Sequence, residues 1–145
     1  MDIKDKVIRQ LTAKNMCGYG VEEAKEASSI QDLINLLLSP KGIEFCIENS
    51  FPKIKDLLPI KEELLKNKVI VKGVHTVTNP GVILIYGGEV VIHVNGYSVA
   101  DIYATNDAKV KVVAKENAYV SIRLHGDSKV EIERYDMSSI YKKQG

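Results

Sequence analysis

Apolar residues recur at helical spacing in the first part of the chain and at strand spacing in the second. Ile3, Val7, Ile8 and Leu11 share one face of a helix, which Cys17-Gly18-Tyr19-Gly20 ends. A short helical turn over Val21 to Ala27 follows. Ser29 then precedes Ile30, Leu33, Ile34, Leu37 and Leu38, with Asp32 three residues on, a variant capping box that predicts a helix start. Ser39-Pro40 stops that helix and starts another, because Ser caps and Pro suits the first helical position. Ile43, Cys46 and Ile47 form the new helix's apolar stripe, and Asn49-Ser50-Phe51-Pro52 breaks it. A further helix over Lys53 to Leu58 meets Pro59 and resumes from Ile60 to Lys66.

Near Asn67 the period changes. Val69 and Val71 alternate with other residues, Val74 and Val77 do so more weakly, and Asn79-Pro80-Gly81 marks a turn. From Gly81 to Ile140 the chain repeats in six ten-residue blocks. The second position is Val82, Ile92, Ile102, Val112, Ile122 and Ile132; the tenth is Val90, Ala100, Val110, Val120, Val130 and Ile140. The eighth is always small: Gly88, Ser98, Ala108, Ala118, Ser128 and Ser138. Read across block boundaries, positions eight, ten, two and four alternate. Ala108, Val110, Val112 and Ala114 therefore share one strand face, as do Ala118, Val120, Ile122 and Leu124. Asn95-Gly96, Asn106-Asp107, Glu116-Asn117, Gly126-Asp127 and Asp136 supply the corners.

The pattern predicts an α+β chain: a helical region over 1–67 that caps a repetitive β region over 68–145. Two architectures use such a repeat. An antiparallel meander would pair neighbouring blocks as hairpins and bury one face against the helices. A β-solenoid would place neighbouring blocks in opposite sheets and stack residues twenty apart. The inward row includes Ala100, Ala104, Ala108, Ala114 and Ala118, too small for a gap of roughly 10 Å between a sheet and helices. A short solenoid with close walls fits better, and constant block length suits stacked coils. Stacking would set Lys111 over Glu131 as an ion pair and Tyr103 over Arg123 as a cation–π contact. Tyr141 to Gly145 reads as a short basic tail that blunts the last edge, unless that end pairs with another copy.

Composition narrows the function. Hydrophobic residues make up 45% and charged residues 27%, which is globular composition for one ordinary domain or two very small ones. The net charge of +1 splits as ten basic and eight acidic residues in 68–145 against ten and eleven in 1–67. That balance argues against nucleic acid as a partner. No Trp and two Phe suit a thin core. Two cysteines exclude a disulfide scaffold: Cys46 reads as a buried small hydrophobe and Cys17 as a loop thiol. The apolar runs are far short of the roughly 20 residues a membrane span needs, and the N-terminus has no signal-like apolar run. The expectation is a cytoplasmic protein, or a virion protein if structural.

Candidate chemistry is sparse. His75, His93 and His125 lack metal-ligand spacing, so no metal or cofactor is expected. Glu131 and Glu133 project from one strand, a carboxylate pair that reads as a solvated face before it reads as a glycosidase site. No phosphate loop, nucleophile elbow or dinucleotide fingerprint occurs. The ten-residue period also departs from the six-residue period of hexapeptide acyltransferases. Aromatic and basic residues interleave on outward positions, and Tyr103, Tyr119, Arg123 and Lys111 are the candidate binding residues.

The segment Gly42 to Pro52, GIEFCIENSFP, together with repeats such as Asn117-Ala118-Tyr119-Val120, resembles an uncharacterised family of small Bacteroidetes phage and mobile-element proteins. The resemblance spans most of the chain and rests on its Phe-Cys and Phe-Pro elements. It implies an element-encoded, non-enzymatic protein and carries over no catalytic residue. The expectation is a non-catalytic module that binds a host or virion protein, or itself as a homo-oligomer. A glycan-binding receptor module using Tyr103, Tyr119 and Arg123 is the alternative.

Overall fold

The computed structural model describes residues 30–49 and 51–144. The helix expected over Ile3 to Leu11, the Cys17 loop, the turn over Val21 to Ala27 and the Ser29 cap lie outside the described residues.

Helix α1 (Ile30–Leu37) leads directly into α2 (Pro40–Asn49). Ser39 makes the junction. Its Oγ accepts the Gly42 N–H at 3.1 Å as an N-cap and donates to the Leu36 carbonyl at 2.7 Å. Ile43, Cys46 and Ile47 are buried along one stripe of α2, as their spacing predicts. Pro59 divides the next helical stretch into α3 (Ile54–Leu57), a 3-10 turn (Leu58–Ile60) and α4 (Lys61–Lys66).

The remainder is a β-solenoid. Strands β1 (Val69–Ile70), β3 (Val82–Ile85), β5 (Val99–Ala104), β7 (Tyr119–Leu124) and β9 (Ser139–Gln144) form one sheet in that order. Strands β2 (Val74–Thr78), β4 (Glu89–Val94), β6 (Lys109–Ala114) and β8 (Lys129–Arg134) form the other. Every pairing is parallel, and consecutive strands always lie in opposite sheets. That arrangement excludes the meander, which needs antiparallel neighbours. From β4 onward the stack advances by twenty residues: Val90 lies beside Val110, and Val112 beside Ile132. The alternation sends Ile92, Ile102, Val112 and Ile122 into one continuous interior. The five inward alanines are at most 1% exposed, so small side chains form this core together with Val and Ile.

The corners repeat as well. Gly96, Asn106, Glu116, Gly126 and Asp136 all have φ between 56° and 64°. At two corners a Ser hydroxyl two places on takes part in the backbone network. Ser128 Oγ bonds the His125 carbonyl at 2.7 Å, and Ser138 Oγ bonds the Tyr135 carbonyl at 2.6 Å.

Two expectations need correction. Val82 does not point inward: it is 44% exposed, and Ile83 and Ile85 enter the interior instead. The first block has slipped by one residue, so Ile83 pairs with Ile102. The cause is a short corner. Three residues, Tyr86 to Gly88, connect β3 to β4, where four connect each later pair. A Cβ on Gly88 would sit 2.5 Å from the Gly73 carbonyl oxygen, so this tight passage requires glycine. The segment after Ile140 is likewise no tail. It belongs to β9, in register with β7 from Tyr119–Ser139 to Leu124–Gln144.

The slip has a structural use. It turns Leu84 and Tyr86 outward, where they join Val69, Val71, Phe51, Leu57 and the buried faces of α1 and α2 in a second core. The helices thus lie against the outward side of the first sheet. Tyr86 is fully buried there and donates its hydroxyl to the Phe51 carbonyl at 2.6 Å.

Candidate interaction surface

Strand alternation arranges the outward side chains in columns, one residue per coil. On the first sheet one column runs Leu84, Tyr103, Arg123, Lys143. Leu84 is covered by the helices and Tyr103 packs partly against the same cluster. Burial first, and Asp101 second, push the Tyr103 hydroxyl up. Arg123 lies beside Tyr103 in register as its spacing predicts, but its guanidinium engages another partner. Arg123 Nη1 donates to Glu44 Oε1 on α2 at 2.6 Å, which raises the arginine further. Glu44 had no signal in the sequence, because nothing in a strand repeat points to a helix 79 residues away. Tyr119 stands at the start of β7 between Val99 and Ser139 and is 47% exposed.

Lys111 lies on the other sheet. The four candidate binding residues therefore do not form one site: Tyr103, Tyr119 and Arg123 share the first sheet's outward side, and Lys111 belongs to the second. Lys111 is beside Glu131 in register, yet its ammonium pairs diagonally with Glu133 at 3.2 Å. The hydrogen bond to Glu133 is the main cause that holds the lysine's pKa up, with Glu131 adding to it. The expected pairing with Glu131 is thus replaced by the next outward carboxylate on the same strand. Among the described residues, a cation–π contact joins Lys115 to the Tyr135 ring at 5.7 Å.

On the outward side of the second sheet Val113 is buried, at 7% exposure, while the charged side chains around it are more open. The sheet's columns are Val74, Glu89, Lys109, Lys129; then Thr76, Val91, Lys111, Glu131; then Thr78, His93, Val113, Glu133. At the N-terminal ends of β4, β6 and β8 these residues border a shallow cavity of about 340 Å³, lined by Val74 and Val91 on one side and by Lys109, Lys111, Lys129 and Glu131 on the other. Val74 is 77% exposed at its rim. The surface is a ladder-backed plane on which single apolar residues are scattered among charged ones, a shape suited to contact with an extended backbone or another flat protein surface.

Reactive groups are placed differently. Cys46 is 1% exposed, and burial pushes its thiol up to about 12, partly offset by the Tyr86 hydroxyl. It is an inert core residue. Among the described residues, no group of three or more His, Cys, Asp or Glu is arranged to hold a metal ion. None of the described helices is long and apolar enough to cross a membrane. Comparison with known proteins finds no family model, no curated protein and no solved structure that matches the chain.

Proposed function

We propose that the chain is a non-catalytic interaction module whose helical segment caps the first coil and whose second sheet carries the contact surface. One observation supports this most directly. The helices occupy the outward side of β1 and β3, whereas the outward side of β2, β4, β6 and β8 carries the ion pairs Lys109–Glu89 and Lys111–Glu133 and the exposed Val74. Backbone ladders hold that plane rigid, so little ordering cost accompanies binding. The partner is a protein, of host or virion origin in the setting the family resemblance implies, or the chain itself. Affinity capture from host lysate tests the reading. Wild-type chain recovers a defined partner or a self-complex, and K109E/K129E loses the heterologous partner without losing its fold by circular dichroism. Recovery of neither partner nor self-complex overturns the reading.

A further inference from the structure

Asn95-Gly96 is the one place in the chain where asparagine precedes glycine. The pair opens the corner from β4 to β5, and Gly96 takes φ 64°. The corner is held by its carbonyls: Asn95 O accepts the Ser98 N–H at 3.2 Å, and Gly96 O accepts the Asn117 N–H of the next coil at 2.9 Å. The Asn95 side chain is held by its oxygen. Asn79 Nδ2 donates to Asn95 Oδ1 at 3.0 Å, while Asn79 Oδ1 accepts the Asn95 N–H at 3.0 Å. Two groups stay outside this network. Among the described residues, neither Asn95 Nδ2 nor the Gly96 N–H has a hydrogen-bond partner. Both residues are half-buried, and a Cβ built on Gly96 would meet nothing within 4 Å.

We propose that this corner is a site of spontaneous covalent modification, at which Asn95 cyclises onto the Gly96 nitrogen and loses ammonia. The Gly96 N–H gives its proton to hydroxide, and the nitrogen forms a bond to Asn95 Cγ. The Cγ–Nδ2 bond breaks, and Nδ2 takes a proton from water and leaves as ammonia. The cyclic imide then adds one water. Cleavage at Cγ leaves an aspartyl residue at position 95. Cleavage at the main-chain carbonyl leaves an isoaspartyl residue, with one more carbon in the main chain. Three features select this site. The nucleophile belongs to the next residue and is unpaired, so no encounter is needed. Glycine places no side chain beside its nitrogen. Asn79 Nδ2 already donates to the oxygen on which charge develops. Other asparagines lack this combination. Asn106 occupies a corner of similar φ, 58°, but the Tyr86 carbonyl holds its Nδ2 at 2.9 Å and Asp107 follows it. Asn49 and Asn67 give their Nδ2 to the Phe45 and Glu63 carbonyls. Asn79 precedes Pro80, which has no N–H to attack with. The two products differ in their effect on the fold. The isoaspartyl form lengthens a corner whose length sets the phase of the strands. The aspartyl form keeps that length and sets a carboxylate at the position equivalent to Lys115 of the next coil.

Peptide mass spectrometry of the full chain, held folded at pH 9 and digested in acid, tests the site. Asn95 should convert from amide to acid before the other asparagines of the described residues, and faster at pH 9 than at pH 6. Both products should appear, and only the isoaspartyl one should take a methyl group from S-adenosylmethionine under isoaspartyl methyltransferase. Asn79→Asp keeps the acceptor for the Asn95 N–H and removes the donor to Oδ1, so conversion should slow about fivefold. After chromatographic separation, the isoaspartyl fraction should melt below the aspartyl fraction. An Asn95 that stays an amide in the folded chain while the same chain in urea converts overturns the site, as does earlier conversion at another described asparagine. A rate unchanged by Asn79→Asp overturns the part assigned to Asn79. Equal melting of the two fractions overturns the effect on the corner.

Discussion

Arg123 on β7 and Glu44 on α2, 79 residues apart, are joined at 2.6 Å, an ion pair that ties the helical segment to the solenoid wall. Both side chains are more than a third exposed, so the pair is a latch of small strength. A double-mutant cycle of Glu44→Gln and Arg123→Met, read by urea denaturation, is expected to give a coupling of about 0.2–1 kcal/mol in low salt. The coupling should fall toward zero in about 1 M salt, where the screening length is roughly 3 Å.

Tyr86 is the larger determinant of the helix–sheet contact. Tyr86→Phe keeps the ring in place but leaves the Phe51 carbonyl without the hydroxyl it accepts. The expected loss is about 1–3 kcal/mol of unfolding free energy, measured by chemical denaturation.

The same cluster makes stability fall at alkaline pH. Burial raises Cys46 from 9.0 to about 12 in the folded chain and raises Tyr86 well above 10.0. The native state therefore holds protons that the unfolded chain releases. This contribution is complete below about pH 9 and is lost as pH rises toward 12, at about 1.4 kcal/mol per pH unit for the thiol. Denaturation midpoints measured from pH 8 to pH 11 should show that decline, and Cys46→Ala should make it shallower. At pH 8, peptide-resolved alkylation should leave Cys46 unmodified until denaturant is added.

Two corners respond to substitution with opposite sign. Glu116 occupies a left-handed corner at φ 59°, where a side chain costs about 1–2 kcal/mol. Its backbone N–H is held by the Asp136 carboxylate at 3.0 Å, a contact that Glu116→Gly preserves. That variant should raise the melting temperature. Gly126→Ala should lower it, because the corner there has φ 64° and the new Cβ would meet the Asn106 backbone at 3.2 Å.

The interior is sensitive to volume in both directions. Ala104 and Ala114 are fully buried there. Ala104→Val overfills a close-packed wall and should cost about 1–3 kcal/mol by denaturation. Ile122→Val, which removes a single methylene from the same interior, should cost about 0.5–1.5 kcal/mol.

The solenoid was legible because its information is local. Small residues at the eighth position of each block, Val or Ile at the second, and Val, Ile or Ala at the tenth mark inward sites wherever the corner has its usual length. Ala108, Val110, Val112 and Ala114 are buried together for that reason. The pattern misleads at Val82, where a corner one residue shorter shifts the phase. Gly87-Gly88 was the visible trace of that corner. Register placed Lys111 beside Glu131 and Tyr103 beside Arg123, but it does not set where long side chains reach. Lys111 turns to Glu133 and Arg123 to Glu44. Alternation marks a position as outward without saying which sheet carries it, which is why Lys111 on β6 is separated from Tyr103, Tyr119 and Arg123.

The twenty-residue coil has an evolutionary corollary. A segment cut between equivalent corners, such as 105–124, joins its flanks in the same phase whether it is lost or copied. Each duplication would lengthen the molecule by about 4.8 Å and present the same columns again. Reach along the axis can therefore change in whole steps while the wall, the corners and the helical junction stay as they are.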